Sequence, residues 1–302
     1  MVKLRSIVLL LLVLGTAFVT FKPQITGWVT GMQDSRPTIS IASWNIENFG
    51  QKKAGNDMVM SDIAKRIGQY DIVVLQEISN VDELIDEGCS RNQDACPGPK
   101  CELVTKALQT HLGNRNYSIL MSPQVKDERY AIIYDRDMVS LVGSAGLLDD
   151  DKELGQTCDT SPQDTGRMQR QPFAATFQVE DFTFRMLTAH TSPSDNVNEL
   201  AGLAYFFNNE LQTHEHVIIA GDLNADCSYL DEDEAPALRA QYWLIPDRAD
   251  TTVSKTDCTY DQMIISERTV PRFARSGVDS SVTDEVSDHY LIWSEFYYGG
   301  KQ

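Results

Sequence analysis

Short apolar runs bounded by polar residues recur along the chain, and between them the apolar spacing switches from strand period to helix period. Ile39-Ser40-Ile41-Ala42-Ser43-Trp44 reads as a strand, residues 58–69 as an amphipathic helix, and Ile72-Val73-Val74-Leu75 as a buried strand. A helix is predicted near 102–111, and strands near 117–121 and 130–134. A loop rich in Asp and Gly covers about 147–169. The pattern then repeats, with strands at 173–177 and 182–189. Ser192-Pro193-Ser194-Asp195 reads as a capping box with Pro at the first helical position. The helix behind it places Val197, Leu200, Leu203, Ala204, Phe207 and Leu211 on one face. Strands at 216–220, 260–265 and 289–296 complete the set. Strand–helix alternation with adjacent strands predicts an α/β layered domain. No linker divides residues 38–298, which therefore form one domain, with 22–37 as a linker before it.

Polar residues stand where these strands end, and that changes the picture. Asn45 ends the first strand, Glu77 the second, and His190 the strand at 182–189. Asp222 and Asn224, in Gly221-Asp222-Leu223-Asn224, follow the apolar run 217–220. Asp261 precedes Met263-Ile264-Ile265, and Asp288-His289 opens the last strand. Taken singly, each position suits a cap or a turn. Together they load one edge of a sheet with carboxylates, amides and two histidines. Carboxylate and amide oxygens suit a hard divalent cation, and Glu77, Asp222 and Asp288 can hold Mg²⁺ or Ca²⁺ through theirs, with Mg²⁺ and Mn²⁺ both open as the working ion. Two histidines, each oriented by a carboxylate, can supply an acid and a base. No Ser or Cys occupies a nucleophile-elbow motif, so water is the expected nucleophile for phosphodiester hydrolysis.

Charge and cysteine content narrow the class. The formal net charge of the 302 residues is -18. Such a chain is a poor coat for nucleic acid, but an enzyme whose carboxylates are neutralised by divalent cations remains open. Lys3 and Arg5 precede an apolar run at 7–21. Fifteen helical residues reach about 22 Å, short of a bilayer core of roughly 30 Å. Residues 1–21 are therefore expected to be an export signal or a retained N-terminal anchor, with the body secreted, periplasmic or extracellular in either case. Six cysteines, Cys89, Cys96, Cys101, Cys158, Cys227 and Cys258, fit disulfides in an exported chain.

The segments Ile41-Ala42-Ser43-Trp44-Asn45-Ile46-Glu47-Asn48-Phe49-Gly50, Leu75-Gln76-Glu77, Ala189-His190-Thr191, Gly221-Asp222-Leu223-Asn224 and Ser287-Asp288-His289 resemble the endonuclease/exonuclease/phosphatase superfamily. Within it, the run 221–229, Trp243-Leu244-Ile245-Pro246-Asp247, Ala249-Asp250-Thr251-Thr252 and Cys258-Thr259-Tyr260-Asp261 resemble the deoxyribonuclease I branch, over about residues 39–296. The resemblance implies two packed β-sheets flanked by helices, a four-layer sandwich, and hydrolysis of double-stranded DNA by a monomer with little sequence preference. It implies that Glu128 orients His190 and Asp261 orients His289. It implies that Glu77 is the principal metal ligand, with Asn45, Asp222 and Asp288 around it, and that Asn224, Arg170 and Tyr260 hold the scissile phosphate. It implies a Cys227–Cys258 disulfide and a structural Ca²⁺ at Asp250, Thr252 and Thr256. Glu47 stands where the family has a phosphate-contacting Arg, which adds a carboxylate to the metal set; Ser79 stands in place of a groove-entering Arg, and Lys126 in place of a stacking Tyr. Gln171 departs from the family's second calcium position. The same scaffold also carries sphingomyelinases and lipid-phosphate phosphatases, so those activities stand as the alternative.

Overall fold

Residues 36–79, 101–148, 168–230 and 237–299 are described by the computed structural model. The leader, Cys89, Cys96, Cys158, the side chain of Cys101 and most of the loop at 147–169 lie outside those residues.

The first sheet begins with β1 (Thr38–Asn45), which is followed by the short helix α1 (Gln51–Ala54) and by α2 (Asp57–Ile67). Asn56 caps α2 by accepting from the backbone N–H groups of Met58 and Val59. The chain returns as β2 (Ile72–Ser79), parallel to β1. A parallel return needs this helical crossover. Helix α3 (Cys101–Leu112), β3 (Tyr117–Met121) and β4 (Glu128–Asp135) follow. Near the chain's end, β11 (Phe273–Asp279) and β12 (Leu291–Tyr297) complete a six-stranded sheet ordered β11-β12-β1-β2-β4-β3.

The second sheet is built the same way. It contains β5 (Ser140–Leu147), β6 (Phe173–Val179) and β7 (Phe182–His190). Helix α4 (Asn196–Glu210) then crosses to β8 (Val217–Asp222), parallel to β7. Short β9 (Tyr242–Trp243) and β10 (Asp261–Ile265) complete the order β5-β6-β7-β8-β10-β9.

Period-two alternation explains the layering. In β2, Ile72 and Val74 point into the core between the sheets, while Val73 and Leu75 point toward α2 and α3. In β8, Ile218 and Ala220 face the same inter-sheet core, while Val217 and Ile219 face α4. Both faces of both strands are apolar because each is covered, which is why these strands read as unbroken hydrophobic runs. The result is the four-layer sandwich.

Several expectations need correction. Residues 140–147 form the edge strand β5 and 273–279 the edge strand β11, neither of which the apolar pattern marks. His289 lies two residues before β12 rather than in it. The capping box does not form: Ser192 makes no side-chain cap bond, and its Oγ meets Ser194 Oγ at 3.1 Å. Pro193 does open a 3₁₀ turn, and α4 begins only at Asn196. Val197 is 36% exposed. The first-turn residues that α4 buries are Asn196 and Glu199, because both hydrogen-bond to neighbouring loops.

Candidate active site

The polar residues gather where the carboxyl ends of the two parallel pairs meet, β1/β2 from one sheet and β7/β8 from the other. Asn45 ends β1 and aims its amide nitrogen at Glu77 Oε1 (3.0 Å) and at Asp222 Oδ2 (2.9 Å), so it bridges the sheets. Glu77 sits at a bulge in β2, where the pairing with β4 shifts register, and its φ is 57°. A left-handed Glu is uncommon and persists only where its surroundings hold it. Here the Phe49 N–H donates to the Glu77 carbonyl at 2.8 Å, and the Asn48 N–H to Glu77 Oε2 at 3.0 Å. Across the seam, Gly221 packs so closely on β7 that a Cβ would meet the Ala189 carbonyl oxygen at 1.9 Å. Only glycine lets β8 carry Asp222 this near to His190.

The two histidines are arranged alike. His190 Nδ1 donates to Glu128, at 2.9 Å from Oε2 and 3.0 Å from Oε1. His289 Nδ1 donates to Asp261 Oδ2 at 2.7 Å. Those bonds leave each Nε2 free to face the seam, and both lie 3.6 Å from the same atom, Asp222 Oδ2. Each pair joins the two sheets: Glu128 is in β4 and His190 in β7, while His289 precedes β12 and Asp261 opens β10.

Burial sets the electrostatics. It disfavours the charge on His190, but Glu128 and then Asp222 outweigh it and lift the pKa to about 9, with Arg170 pulling the other way. His289 shows the same contest, won by Asp261 and Asp222, and reaches about 10. Asp261 is fully buried, and burial raises its carboxyl to about 6 against the pull of His289. Asp222 is also buried, yet the two imidazoles and the Asn45 amide hold it below the usual carboxylate range.

Oxygen donors fit a hard cation here. Glu77 and Asp222 converge on one amide group, and no Lys or Arg is paired with either among the described residues. Asp222, Asp261 and His289 also present ligand atoms within 4.8 Å of one another. In that trio, however, His289 Nδ1 and Asp261 Oδ2 are already bonded to each other, so Glu77 and Asp222, held together by the Asn45 amide NH₂, form the better cation set, and the Asn45 oxygen accepts from the Glu47 N–H. Asp288 belongs to the same rim, 3.9 Å from His289 Nε2 and half-exposed.

The remaining predicted residues surround this centre. Arg170 reaches Glu128 Oε2 (3.4 Å) and Asp127 Oδ1 (3.3 Å). Asn224, at φ 46°, donates one amide proton to the Thr191 carbonyl at 3.0 Å. Tyr260 lies 6.4 Å from the His289 ring, centroid to centroid. Cys227 and Cys258 form a disulfide that ties the loop after Asn224 to the approach of Asp261. Asp250 Oδ1 accepts from both the backbone and the hydroxyl of Thr252 at 2.9 Å, and that hydroxyl also reaches the Thr256 carbonyl, which makes an oxygen-rich turn. Glu47 is turned to Lys53 (3.5 Å), and Ser79 lies 3.5 Å from Asn48. Lys126 donates to Gln169.

Some members of the site escaped the sequence. Glu199, in the first turn of α4, accepts from the backbone N–H groups of Ser192 and Gln169, each at 2.8 Å, and so clamps the segments that carry His190 and Arg170. Asn196 holds the carbonyls of Leu223 and Asn224. Gln76 links Ser43 to Thr188 beneath the seam. A buried amide or carboxylate on a mostly apolar element is the one signal that could have found them.

The chain is similar to known proteins. The Endonuclease/Exonuclease/phosphatase family model matches residues 42–289. The chain is 31% identical to Deoxyribonuclease-1 of Homo sapiens over 84% of its length and 91% of that protein's. It is 30% identical to Deoxyribonuclease-1 of Equus caballus over 87% and 94%. Among solved structures, D. rerio TDP2 complexed with a single-strand DNA product superposes with a TM-score of 0.59 at 14% identity, over 88% of this chain and all of that one. A Bacteroides thetaiotaomicron endonuclease/exonuclease/phosphatase family protein superposes with a TM-score of 0.56 at 18% identity, over 88% of this chain and all of that one. At those identities the likeness is one of fold.

Proposed function

The chain belongs to the endonuclease/exonuclease/phosphatase family, as a deoxyribonuclease I-like hydrolase of phosphodiester bonds, and from that premise we propose that it is an exported, divalent-cation-dependent DNA endonuclease with little sequence preference. The observation that carries the reading is the pair of imidazoles flanking Asp222, each oriented by its own carboxylate. Phosphodiester hydrolysis needs a proton removed from water and another delivered to the leaving oxygen, and two such groups on opposite sides of one phosphate supply both.

In this reading one of His190 and His289 acts as base and the other as acid. Glu128 and Asp261 fix their tautomers and stabilise the imidazolium that forms in each turnover. Arg170, Asn224 and Tyr260 hold the phosphate and offset the charge that develops on its oxygens. Glu77, Asn45, Asp222 and Asp288 would hold Mg²⁺ or Mn²⁺, with Glu47 on the rim. A bound cation supplies positive charge against the phosphate and opposes the upward shift of both histidines, favouring the neutral imidazole that a base requires. Asp250, Thr252 and Thr256 would hold a structural Ca²⁺. The Cys227–Cys258 bond supports an oxidising, exported setting for a protein that works as a monomer. No helix among the described residues is long and apolar enough to cross a membrane, and residues 7–21 are the segment we propose as export signal or anchor.

The test is to incubate the purified protein with supercoiled plasmid, RNA and sphingomyelin, with and without EDTA. Nicking of plasmid that EDTA abolishes is expected. Hydrolysis of sphingomyelin with plasmid left intact would replace the nuclease reading with a lipid phosphodiesterase.

A further inference from the structure

Lys53 lies in α1, and its side chain is 15% exposed. Its ammonium donates to the carbonyls of Ile46 (2.8 Å) and Val286 (2.7 Å) and, at close range, of Glu47; it also pairs with the Glu47 carboxylate at 3.5 Å. Ile46 and Glu47 open the turn that leaves β1, and two residues after Val286 comes Asp288. One cation therefore fastens together the two turns that border the cation site. The first of them presents the Asn48 N–H to Glu77, and the second presents Asp288 and His289.

Glu47 attracts the ammonium, as do Asp288 and Glu77, but that attraction does not explain why the charge is directed at three backbone carbonyls. A positive charge beside a site for a divalent cation repels that cation. What the ammonium supplies is geometry. It is tetrahedral and offers three protons to three carbonyls, which neither a planar guanidinium nor a neutral side chain can match.

We infer that Lys53 is a positioning residue for the cation site: its ammonium sets the separation of the β1–α1 turn from the turn that carries Asp288, and so holds Glu77 and Asp288 at the spacing a bound divalent cation needs. The inference rests on the cation site proposed above. It has a sign that a purely electrostatic role lacks, because removing the charge should loosen the cation rather than tighten it.

The experiment follows Mn²⁺ uptake by the full, EDTA-stripped chain through loss of the free-ion paramagnetic resonance signal. Uptake that disappears in Glu77→Gln identifies the site, and a wild-type protein with no such uptake would sink the cation site itself. Lys53→Met should weaken that uptake roughly 10- to 100-fold, the usual effect of losing a group that orients metal ligands. Ser287 Oγ still donates to the Asn45 carbonyl at 2.7 Å, so the second turn keeps one attachment. Should circular dichroism find Lys53→Met unfolded, Lys53→Gln keeps two donor protons and should give a smaller loss of the same sign. Plasmid cleavage at saturating Mn²⁺ should recover to within about 3-fold of wild type, because the residue acts through the cation. Folded variants that bind Mn²⁺ as tightly as wild type, or more tightly, overturn the inference. So does a loss of kcat that no Mn²⁺ concentration restores, since that would place Lys53 in the chemistry.

Discussion

The two histidine–carboxylate pairs are built alike and placed differently. Glu128 is shared: it faces His190 and also Arg170, so its charge is divided between an imidazole and a guanidinium. Asp261 is fully buried, and among the described residues its one ion-pair partner is His289. Against burial, both imidazoles are lifted above their ordinary range by their carboxylates, and Arg170 works against that lift at His190. A shared carboxylate couples its histidine to Arg170, for which we propose a phosphate-holding role, whereas the carboxylate of Asp261 makes its ion pair with His289 and meets no guanidinium among the described residues. Variants at each pair should therefore fail in different ways.

The largest effect should come from the imidazoles. His190→Ala and His289→Ala should each lower plasmid cleavage by at least about 10²-fold, and the double variant should lose far less than the product of the two, because the groups act on one phosphate. Near-normal turnover in either single variant would remove that histidine from the mechanism.

The carboxylates separate the pairs. Asp261→Asn should lower kcat by about 10²-fold with KM little changed, since it loosens one histidine alone. Glu128→Gln should lower kcat by about 10-fold and raise KM as well, because Arg170 loses one of its carboxylate partners at the same moment and keeps Asp127. Identical kcat and KM changes in the two variants would show that sharing Glu128 has no consequence.

The disulfide sharpens the comparison from the stability side. Cys227–Cys258 spans 31 residues and ties the approach of Asp261 to the loop after Asn224, and it lies on neither the strand of Glu128 nor the segment that carries Arg170. Cys258→Ser should destabilise the fold by roughly 3–4 kcal/mol on the chain-entropy estimate. Its cleavage defect should resemble that of Asp261→Asn rather than that of Glu128→Gln. Mass spectrometry under non-reducing conditions that finds either thiol free in the native protein would remove the premise.

How much of this could be read along the chain depended on burial. Strands β2 and β8 lie in the middle of their sheets, so their apolar runs marked them, and the polar residues at their ends marked the site. The edge strands β5 and β11 carry glycines and half-exposed positions, as in Ser140-Leu141-Val142-Gly143, and leave no alternation to see. The bulge that turns Glu77 toward Asn48 has no local signature, since a left-handed Glu is held by partners about thirty residues away. The pairing of Glu128 with His190 and the clamp made by Glu199 depend on which strands neighbour one another, which spacing along the chain does not encode. The family resemblance supplied the first of these and not the second.

Two smaller effects remain. In protein stripped of metal, both histidines titrate above their ordinary value of 6.5. A raised folded-state pKa contributes stability that is complete below the unfolded pKa and is lost as pH rises through the folded one. The melting temperature of the EDTA-treated protein should therefore fall between about pH 6.5 and 10, and the fall should be shallower in His289→Ala than in wild type. An equally steep fall in that variant would assign the loss to other groups. Smallest of all, Ser79→Arg should lower KM for duplex DNA a few-fold with kcat unchanged, and steepen the salt dependence if the new side chain meets a phosphate. An unchanged KM and salt slope would place position 79 away from the duplex.

The joining of each histidine to a carboxylate from the opposite sheet has a consequence for the time course of folding. Neither sheet by itself contains an oriented imidazole, and the Asn45–Asp222 bond also crosses between them. On the proposed mechanism, catalytic competence requires the two sheets to have packed together. A refolding trace followed by plasmid nicking should therefore lag one followed by helix content.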